Sequence, residues 1–396
     1  IIIQNYMIRT SNMNTENNIA IVCITDNGKN LAVEIQKKLK EGQIYFVKKK
    51  NNEEFQEVCN ICNDTYTMKN DKLELRQQNS KNIIRIEQKL KDFVPTIFNK
   101  YRYIVFIMAT GIVVRTIAPL IQSKFQDPAV IVTDEKGTNV ISLLSGHMGG
   151  ANEMALYISH LIESNPVITT ATDVNNKSSL DMIAKRLSGY MENFRDNVLK
   201  VNSMIVNNKP VGLFIDGNYD IDTRGFTILE YEDMLNLDKK NNEEINDLET
   251  VVVISNKQKL DFESKKIIKL VPKDIVLGVG CKKNIDSKHM KDSLREFLHI
   301  NNIDKNSIKA IGSIEIKKDE QAIIDLANYL GVPFKIFTAE EIAQVDCLYS
   351  KSEWVKKNVG VYSVAEPCAH LLSEGNMIIE KQKFKGITFS AGRVNK

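Results

Sequence analysis

A chain of 396 residues with 43% hydrophobic side chains is too long for one ordinary domain and apolar enough to bury more than one core. Its 53 basic and 50 acidic side chains leave a formal charge of +3, a near balance that gives no electrostatic case for nucleic acid or an anionic membrane surface. No apolar run reaches the ~18 residues of a membrane span, and the Asn-rich start lacks the basic and apolar segments of a secretory signal, so a cytoplasmic protein with a disordered tail over 1–17 is expected, its natural start at Met7 or Met13.

Asn18 to Ile24 reads as an apolar strand, and Leu31, Val33, Ile35 and Leu39 carry helical spacing up to Gly42, a βα opening. Lys48 to Lys81 is polar and weakly patterned. It contains Cys59-Asn60-Ile61-Cys62, half the spacing of a zinc site, with no second Cys or His pair near it; all six cysteines read as reduced, incidental thiols, and no metal is expected. Ile86 to Phe98 has helical spacing and delivers the chain to Tyr103–Met108, whose length and β-branched content suit a buried strand of a parallel sheet. Thr110 is placed to cap the helix that follows, Gly111 to let the backbone approach a ligand, and Arg115 to clamp a carboxylate; Pro119 ends or bends that helix.

Ala129–Val132, the turn Thr133-Asp134-Glu135-Lys136-Gly137-Thr138 and Val140–Leu144 read as a hairpin. The loop after it, Ser145-Gly146-His147-Met148-Gly149-Gly150, leads into a helix over Ala151–Ile162 that opens with Asn152 and Glu153. Three glycines, an imidazole, an amide and a carboxylate at a strand end mark a ligand-binding loop of an open α/β sheet. His147 is the candidate acid–base, Glu153 the candidate carboxylate base, and the backbone from Gly146 to Gly150 the candidate oxyanion donor, with a loop-pinning histidine as the bland alternative. Ser145 lacks the Gly-x-Ser-x-Gly context of a hydrolase nucleophile. Pro166–Thr170 reads as a short strand, and Asp173, in the polar loop after it, is a third candidate or a simple brace of that loop.

From Met191 to Lys273 the pattern changes to a helix near Val198–Val206, strands at Val211–Ile215, Val251–Ile254 and Ile267–Leu270, and an acidic, Asn-rich excursion over Asp238–Asp247. A new α/β series then runs through Ile275–Val279, a helix over Ser287–Leu298, Ile308–Ile314, a helix over Glu320–Leu330 and Phe334–Phe337, closing with Ala365-Glu366-Pro367 and strands at Met377–Glu380 and Gly386–Ser390. Gly278-Val279-Gly280 followed by Lys282 and Lys283 reads as an anion-binding turn at a helix start. The expected architecture is multidomain α/β: an N-terminal parallel-sheet domain over 18–190, a smaller linking domain over 191–272 and a C-terminal α/β domain over 273–396.

Ala-Thr-Gly-Ile-Val-Val-Arg from Ala109, Asp127 to Gly137, Ile141 to Glu153, Pro166 to Asn175, Val276 to Cys281, Val364 to Pro367 and Ser390 to Arg393 together resemble the cobalt-precorrin-5A hydrolase family of anaerobic cobalamin biosynthesis. Asn176 and Asn284 stand where that family often has glycine. The resemblance implies a hydrolase that opens the ring-A lactone of a cobalt corrin precursor and releases C20 with its methyl as acetaldehyde. It further implies that the cobalt arrives with the substrate and no separate cofactor is needed. Peripheral carboxylates would be read by Arg115, Lys282, Lys283 and Arg393, with Thr110, Gly111, Ser145, Gly146, Gly149, Gly150, Asn152, Gly280 and Glu366 completing the substrate surface; neighbouring pathway enzymes are possible partners. Two other readings stay open, an S-adenosylmethionine-dependent methyltransferase of the same pathway and a non-enzymatic corrinoid carrier that holds the intermediate by its carboxylates. Ser145-x-His147-x-x-Gly150 also echoes the Asp-x-His-x-x-Gly of cobalamin carriers, but with Ser in place of the Asp that would orient the imidazole, so axial cobalt ligation is a minor reading.

Overall fold

A computed structural model describes residues 18–48, 83–123, 126–147, 149–237 and 247–395. The expected tail, the polar stretch beyond Lys48 with Cys59 and Cys62, and the excursion before Asp247 lie outside the described residues. Contacts divide the chain after Val174 into two compact units.

The first unit is built on strands β1 (Ile19–Cys23), β2 (Gln43–Val47), β3 (Ile83–Ile86), β4 (Tyr103–Ile107), β5 (Ala129–Thr133), β6 (Asn139–Leu144) and β7 (Asn165–Val167), joined in the order β3-β2-β1-β4-β5-β6-β7. Alternation along β1 and β4 explains the layering. Ile19, Ile21, Cys23, Tyr103, Val105 and Ile107 face the helices Asp26–Leu39 and Ala151–Ile162, while Ala20, Val22, Ile104 and Phe106 face Leu90–Phe98 and Thr110–Ile117. A sheet buried on both faces needs apolar side chains at every position of its central strands, and β1 and β4 are buried throughout.

Strand direction decides where chemistry can sit. β1 to β5 run parallel, but the hairpin reverses the chain, so β6 is antiparallel to β5 and parallel to β7. Val130, near the start of β5, pairs with Leu144, the end of β6. The loop after β6 therefore lies at the amino ends of β4 and β5, one strand length, or about 16 Å, from the loop after β4.

The second unit holds two sheets. β8 (Gly212–Ile215), β9 (Thr227–Leu229), β10 (Val251–Ile254) and β11 (Ile267–Leu270) form a parallel sheet in the order β11-β10-β8-β9. The portion expected as a smaller linking domain is built on this α/β layer. Leu180, Ile183, Ala184 and Leu187, on and just after the helix Leu180–Arg186, pack into the same core as Leu213, Val252 and Ile254, whereas the sequence-based boundary at 190 assigns them to the first domain. Strands β12 (Ile275–Cys281), β13 (Ile308–Ile314), β14 (Phe334–Phe337), β15 (Met377–Phe384) and β16 (Ile387–Arg393) make the other sheet, β14-β13-β12-β16-β15, with β15 and β16 antiparallel. Gly278 lies inside β12 because the helix Ala365–Ser373 crosses directly over it: a Cβ there would come 1.7 Å from the Ala365 carbonyl oxygen. Asn176 (φ 53°) and Asn284 (φ 58°) both occupy the left-handed region, which glycine and, among other residues, asparagine adopt most readily.

Candidate functional site

The loop after β6 is shaped by its own backbone. Ser145 turns the chain in the left-handed region (φ 56°), its hydroxyl donates to the Asp127 carbonyl at 3.1 Å, and its carbonyl accepts from Ala151 N–H at 3.2 Å. Asn152 N–H donates to the Gly146 carbonyl at 3.0 Å. These two helix-opening donors are already bonded, so Ala151 and Asn152 offer no free N–H to an anion. The glycines answer close approaches: a Cβ at Gly149 would fall 2.5 Å from Ser145 Cβ, and one at Gly146 would fall 2.6 Å from Asn152 Oδ1. Gly150, at φ 92°, takes the cap position of the helix.

Into this frame the segment after β7 brings its polar residues. Asp173 lies on the one-turn helix Ala171–Val174, and its Oδ2 sits 2.7 Å from His147 Nε2. The Thr172 hydroxyl oxygen is 2.9 Å from the same nitrogen. Asn152, only 5% exposed, donates from Nδ2 to Asp173 Oδ2 at 2.8 Å and to Thr170 Oγ1 at 3.0 Å, while its Oδ1 accepts from the Ser142 hydroxyl at 2.6 Å. The imidazole is mostly covered (16% exposed) and the Asp173 carboxylate partly open (43%). A carboxylate only accepts, so Nε2 carries the hydrogen and Nδ1 is the basic nitrogen of the neutral ring. This pair can relay a proton to and from a water molecule, the carboxylate supporting the imidazolium that forms.

A cleft of about 290 Å³ opens beside the loop, lined by Asn99, Tyr101, Arg102, Gln126, Asp127 and Gly149 among others. The Arg102 guanidinium lies 5.1 Å from the centre of the Tyr103 ring. Among the described residues no group of three or more His, Cys, Asp or Glu is arranged to hold a metal ion, and no helix is long and apolar enough to cross a membrane.

The candidate residues fall into separate groups. Ser145, Gly146, His147, Gly149, Gly150, Asn152, Glu153 and Asp173 gather around the β6–β7 end, with Glu153 half-buried in the helix's first turn. Thr110, Gly111 and Arg115 lie at the carboxyl end of β4, the opposite end of the same sheet's strands. Thr110 is the first helical residue and makes no cap bond, and Arg115 donates to the Gly111 carbonyl of its own helix at 3.1 Å. In the second unit, Gly278 and Gly280 belong to β12 instead of forming a turn, Lys282 and Lys283 are exposed after it, and the next helix is capped by Asp286, whose carboxylate accepts from His289 N–H at 2.8 Å. An anion at that helix start would meet Asp286 in its place. Glu366 is buried against Lys381 Nζ at 3.1 Å and the Ser363 hydroxyl at 3.2 Å. Arg393 ends β16 opposite Ile275, at the other end of β12 from Lys282, with Nε 4.0 Å from the buried Asp274 carboxylate.

Ser142, Thr170, Thr172 and Arg102 were not anticipated. The run Thr169-Thr170-Ala171-Thr172-Asp173 held a usable signal, since three hydroxyls and a carboxylate directly after an apolar strand are costly to bury unless they bond one another. Ser142 and Arg102 carried none, being ordinary polar residues in or beside strands.

Three family models match in succession: "Cobalamin synthesis G N-terminal" over 92–173, "Cobalamin biosynthesis central region" over 178–272 and "Cobalamin synthesis G C-terminus" over 275–392. A protein of Salmonella typhimurium named cobalt-precorrin-5A hydrolase is 40% identical over 300 residues, 74% of this chain and 83% of that protein. One of the same name from Priestia megaterium is 27% identical over 95% of this chain and 94% of its own. A Methanocaldococcus jannaschii protein named probable cobalt-precorrin-5A hydrolase is 31% identical over 74% and 85%. The residues at the β6–β7 end lie within the first matched span, and the succession of matches covers the chain from Asp92 to Gly392: the chain belongs to the cobalt-precorrin-5A hydrolase family of cobalamin biosynthesis.

Proposed function

We propose that this protein hydrolyses cobalt-precorrin-5A, adding water to the ring-A lactone and releasing C20 with its methyl as acetaldehyde to give cobalt-precorrin-5B. The observation that carries the reading is the 40% identity over 300 residues to the Salmonella typhimurium hydrolase, a span that takes in most of both proteins. The cobalt belongs to the substrate, and the macrocycle that holds it is the electron sink for the carbon–carbon cleavage, so no further cofactor is invoked.

The His147–Asp173 pair supplies what lactone opening requires of the protein. His147 Nδ1 takes a proton from the attacking water, Asp173 stabilises the resulting imidazolium, and the same ring returns the proton to a leaving oxygen or carbon. Backbone N–H groups between Gly146 and Gly150 are the proposed oxyanion donors, the first helical ones being already bonded. Glu153 is the second proton-transfer candidate. Arg102, lining the cleft beside Gly149, is the proposed reader of a substrate carboxylate. Incubating the purified protein with the lactone intermediate and assaying acetaldehyde tests the reading. Stoichiometric release supports it, and binding without release points to a carrier.

A further inference from the structure

We propose that Asn152 is a positioning residue for the hydrolysis, holding Asp173 against His147, and that Ser142 anchors the Asn152 side chain where it can do so. The proposal rests on the reading of His147 as the acid–base. The family resemblance implies that Asn152 is a substrate contact, but its side chain is buried and bonds the protein's own Ser142, Thr170 and Asp173.

The chemistry of those partners orients the amide. An ionised carboxylate can only accept, so the Asn152 group facing Asp173 Oδ2 at 2.8 Å must be the NH2. The Oδ1 then faces Ser142, whose hydroxyl donates to it at 2.6 Å. A rotated amide would set its oxygen against the Asp173 carboxylate and its NH2 against the Ser142 hydroxyl, so the acceptor-only carboxylate selects the orientation and the Ser142 hydroxyl, able to donate, anchors Oδ1 within it. Asp173 Oδ2 receives Asn152 Nδ2 and His147 Nε2 on one oxygen, which fixes the carboxylate although nearly half of it is open to water. Gly146 is part of the device, because any side chain there would displace Asn152 Oδ1.

Asp173 and Thr172 contact His147 from the one-turn helix. On the neighbouring elements, Glu153 shares the first turn of the helix Ala151–Ile162 with Asn152, and Asp127, whose carbonyl accepts from the Ser145 hydroxyl, accepts from Gln122 N–H with its own carboxylate. Losing the hold on Asp173 weakens support for the imidazolium, which moves the His147 titration to lower pH.

The test compares Asn152→Ala, Ser142→Ala and Ser142→Thr with the parent, reading kcat and KM for acetaldehyde release. Alongside these, the imidazole C2–H titration of His147 is followed by NMR, its signal assigned by its loss in His147→Gln. Asn152→Ala is expected to lower kcat by about 10- to 100-fold, the usual cost of losing an orienting partner, with KM near parental and the His147 midpoint at lower pH. Ser142→Ala should move both in the same direction by less, and Ser142→Thr, which keeps the hydroxyl, should restore them. A parental midpoint in Asn152→Ala, or a raised KM at unchanged kcat, overturns the proposal and returns Asn152 to substrate contact. Should Asn152→Ala fail to fold, the Ser142 pair decides alone. The titration needs no substrate, so a parent that releases no acetaldehyde refutes the hydrolase reading while leaving the positioning result intact.

Discussion

Asp173 Oδ2 stands 2.7 Å from His147 Nε2, joining residues 26 positions apart through the loops that follow two parallel strands. Two observations support a site here: a mostly covered imidazole, and a carboxylate held by a second, buried donor, Asn152. Replacing Asp173 by Asn removes the negative charge that supports the imidazolium and leaves a neutral amide that can present either end to Nε2. Asp173→Asn is expected to lower kcat by about 10- to 100-fold, toward the mild end of acid–base effects because water reaches this carboxylate. Steady-state kinetics of acetaldehyde release checks it; a parental kcat removes Asp173 from the mechanism.

Arg102 and Arg115 separate the two ends of the first sheet. Arg102 lines the cleft beside Gly149, whereas Arg115 lies beyond the carboxyl end of β4 and bonds its own helix. Arg102→Gln should raise KM by roughly 10-fold, the loss of one charge-assisted bond of about 1.5 kcal/mol, and the effect should shrink at high salt. Arg115→Gln should change neither constant. The reverse pattern would place the substrate at the carboxyl ends of β1 and β4.

Much of the layout was legible in the sequence because it rests on short-range patterns. Val251–Ile254, Ile267–Leu270, Phe334–Phe337 and the helix Ala151–Ile162 fall where apolar runs and spacing put them. The hairpin was legible as well, but its consequence was not: only the pairing of Val130 with Leu144 reveals that Arg115 and His147 sit at opposite ends of the sheet. Periodicity carries no strand direction. The role of Gly278 was hidden for a similar reason, since a glycine kept for a crossing helix looks the same in sequence as one kept for an anion. Glu366 is a substrate contact by the family resemblance, and its buried pairing was not legible because its partner Lys381 lies 15 residues on, in a strand.

Gly278 and Gly280 test that reading of β12. A Cβ at Gly278 would strike the Ala365 carbonyl oxygen and come 2.7 Å from Ala369 N, while one at Gly280 meets nothing closer than 3.7 Å. Gly278→Ala should therefore cost about 1–3 kcal/mol or more through overpacking, and Gly280→Ala should stay within about 0.5 kcal/mol. Urea unfolding midpoints measure both. Equal losses would restore the view of the pair as one functional turn.

Asp134 gives a pH test of the hairpin that reverses β6. Its Oδ1 accepts from Lys136 N–H at 3.0 Å and Thr138 N–H at 3.2 Å, and its Oδ2 from Asn139 N–H at 2.9 Å. Burial by itself would raise this carboxyl; the backbone donors outweigh it and hold it below its ordinary value. A folded value below the unfolded one means the stabilisation is complete above the unfolded value of about 3.9 and is lost as pH falls through the folded one. Asp134→Asn should be less stable than the parent by about 1 kcal/mol at pH 7, with the gap closing in acid. A gap that stays constant from pH 7 to pH 3 would contradict the assignment.

The most direct measurement is single-turnover acetaldehyde release from the lactone intermediate, with parent and His147→Ala compared at matched, saturating protein. The parent should release one acetaldehyde per intermediate. His147→Ala, folded and still binding the intermediate, should release it about 10²- to 10⁴-fold more slowly and lose the limb of the pH–rate profile that reports an imidazole. A parent that binds without releasing acetaldehyde, or a His147→Ala variant with the parental rate and pH profile, would contradict the account.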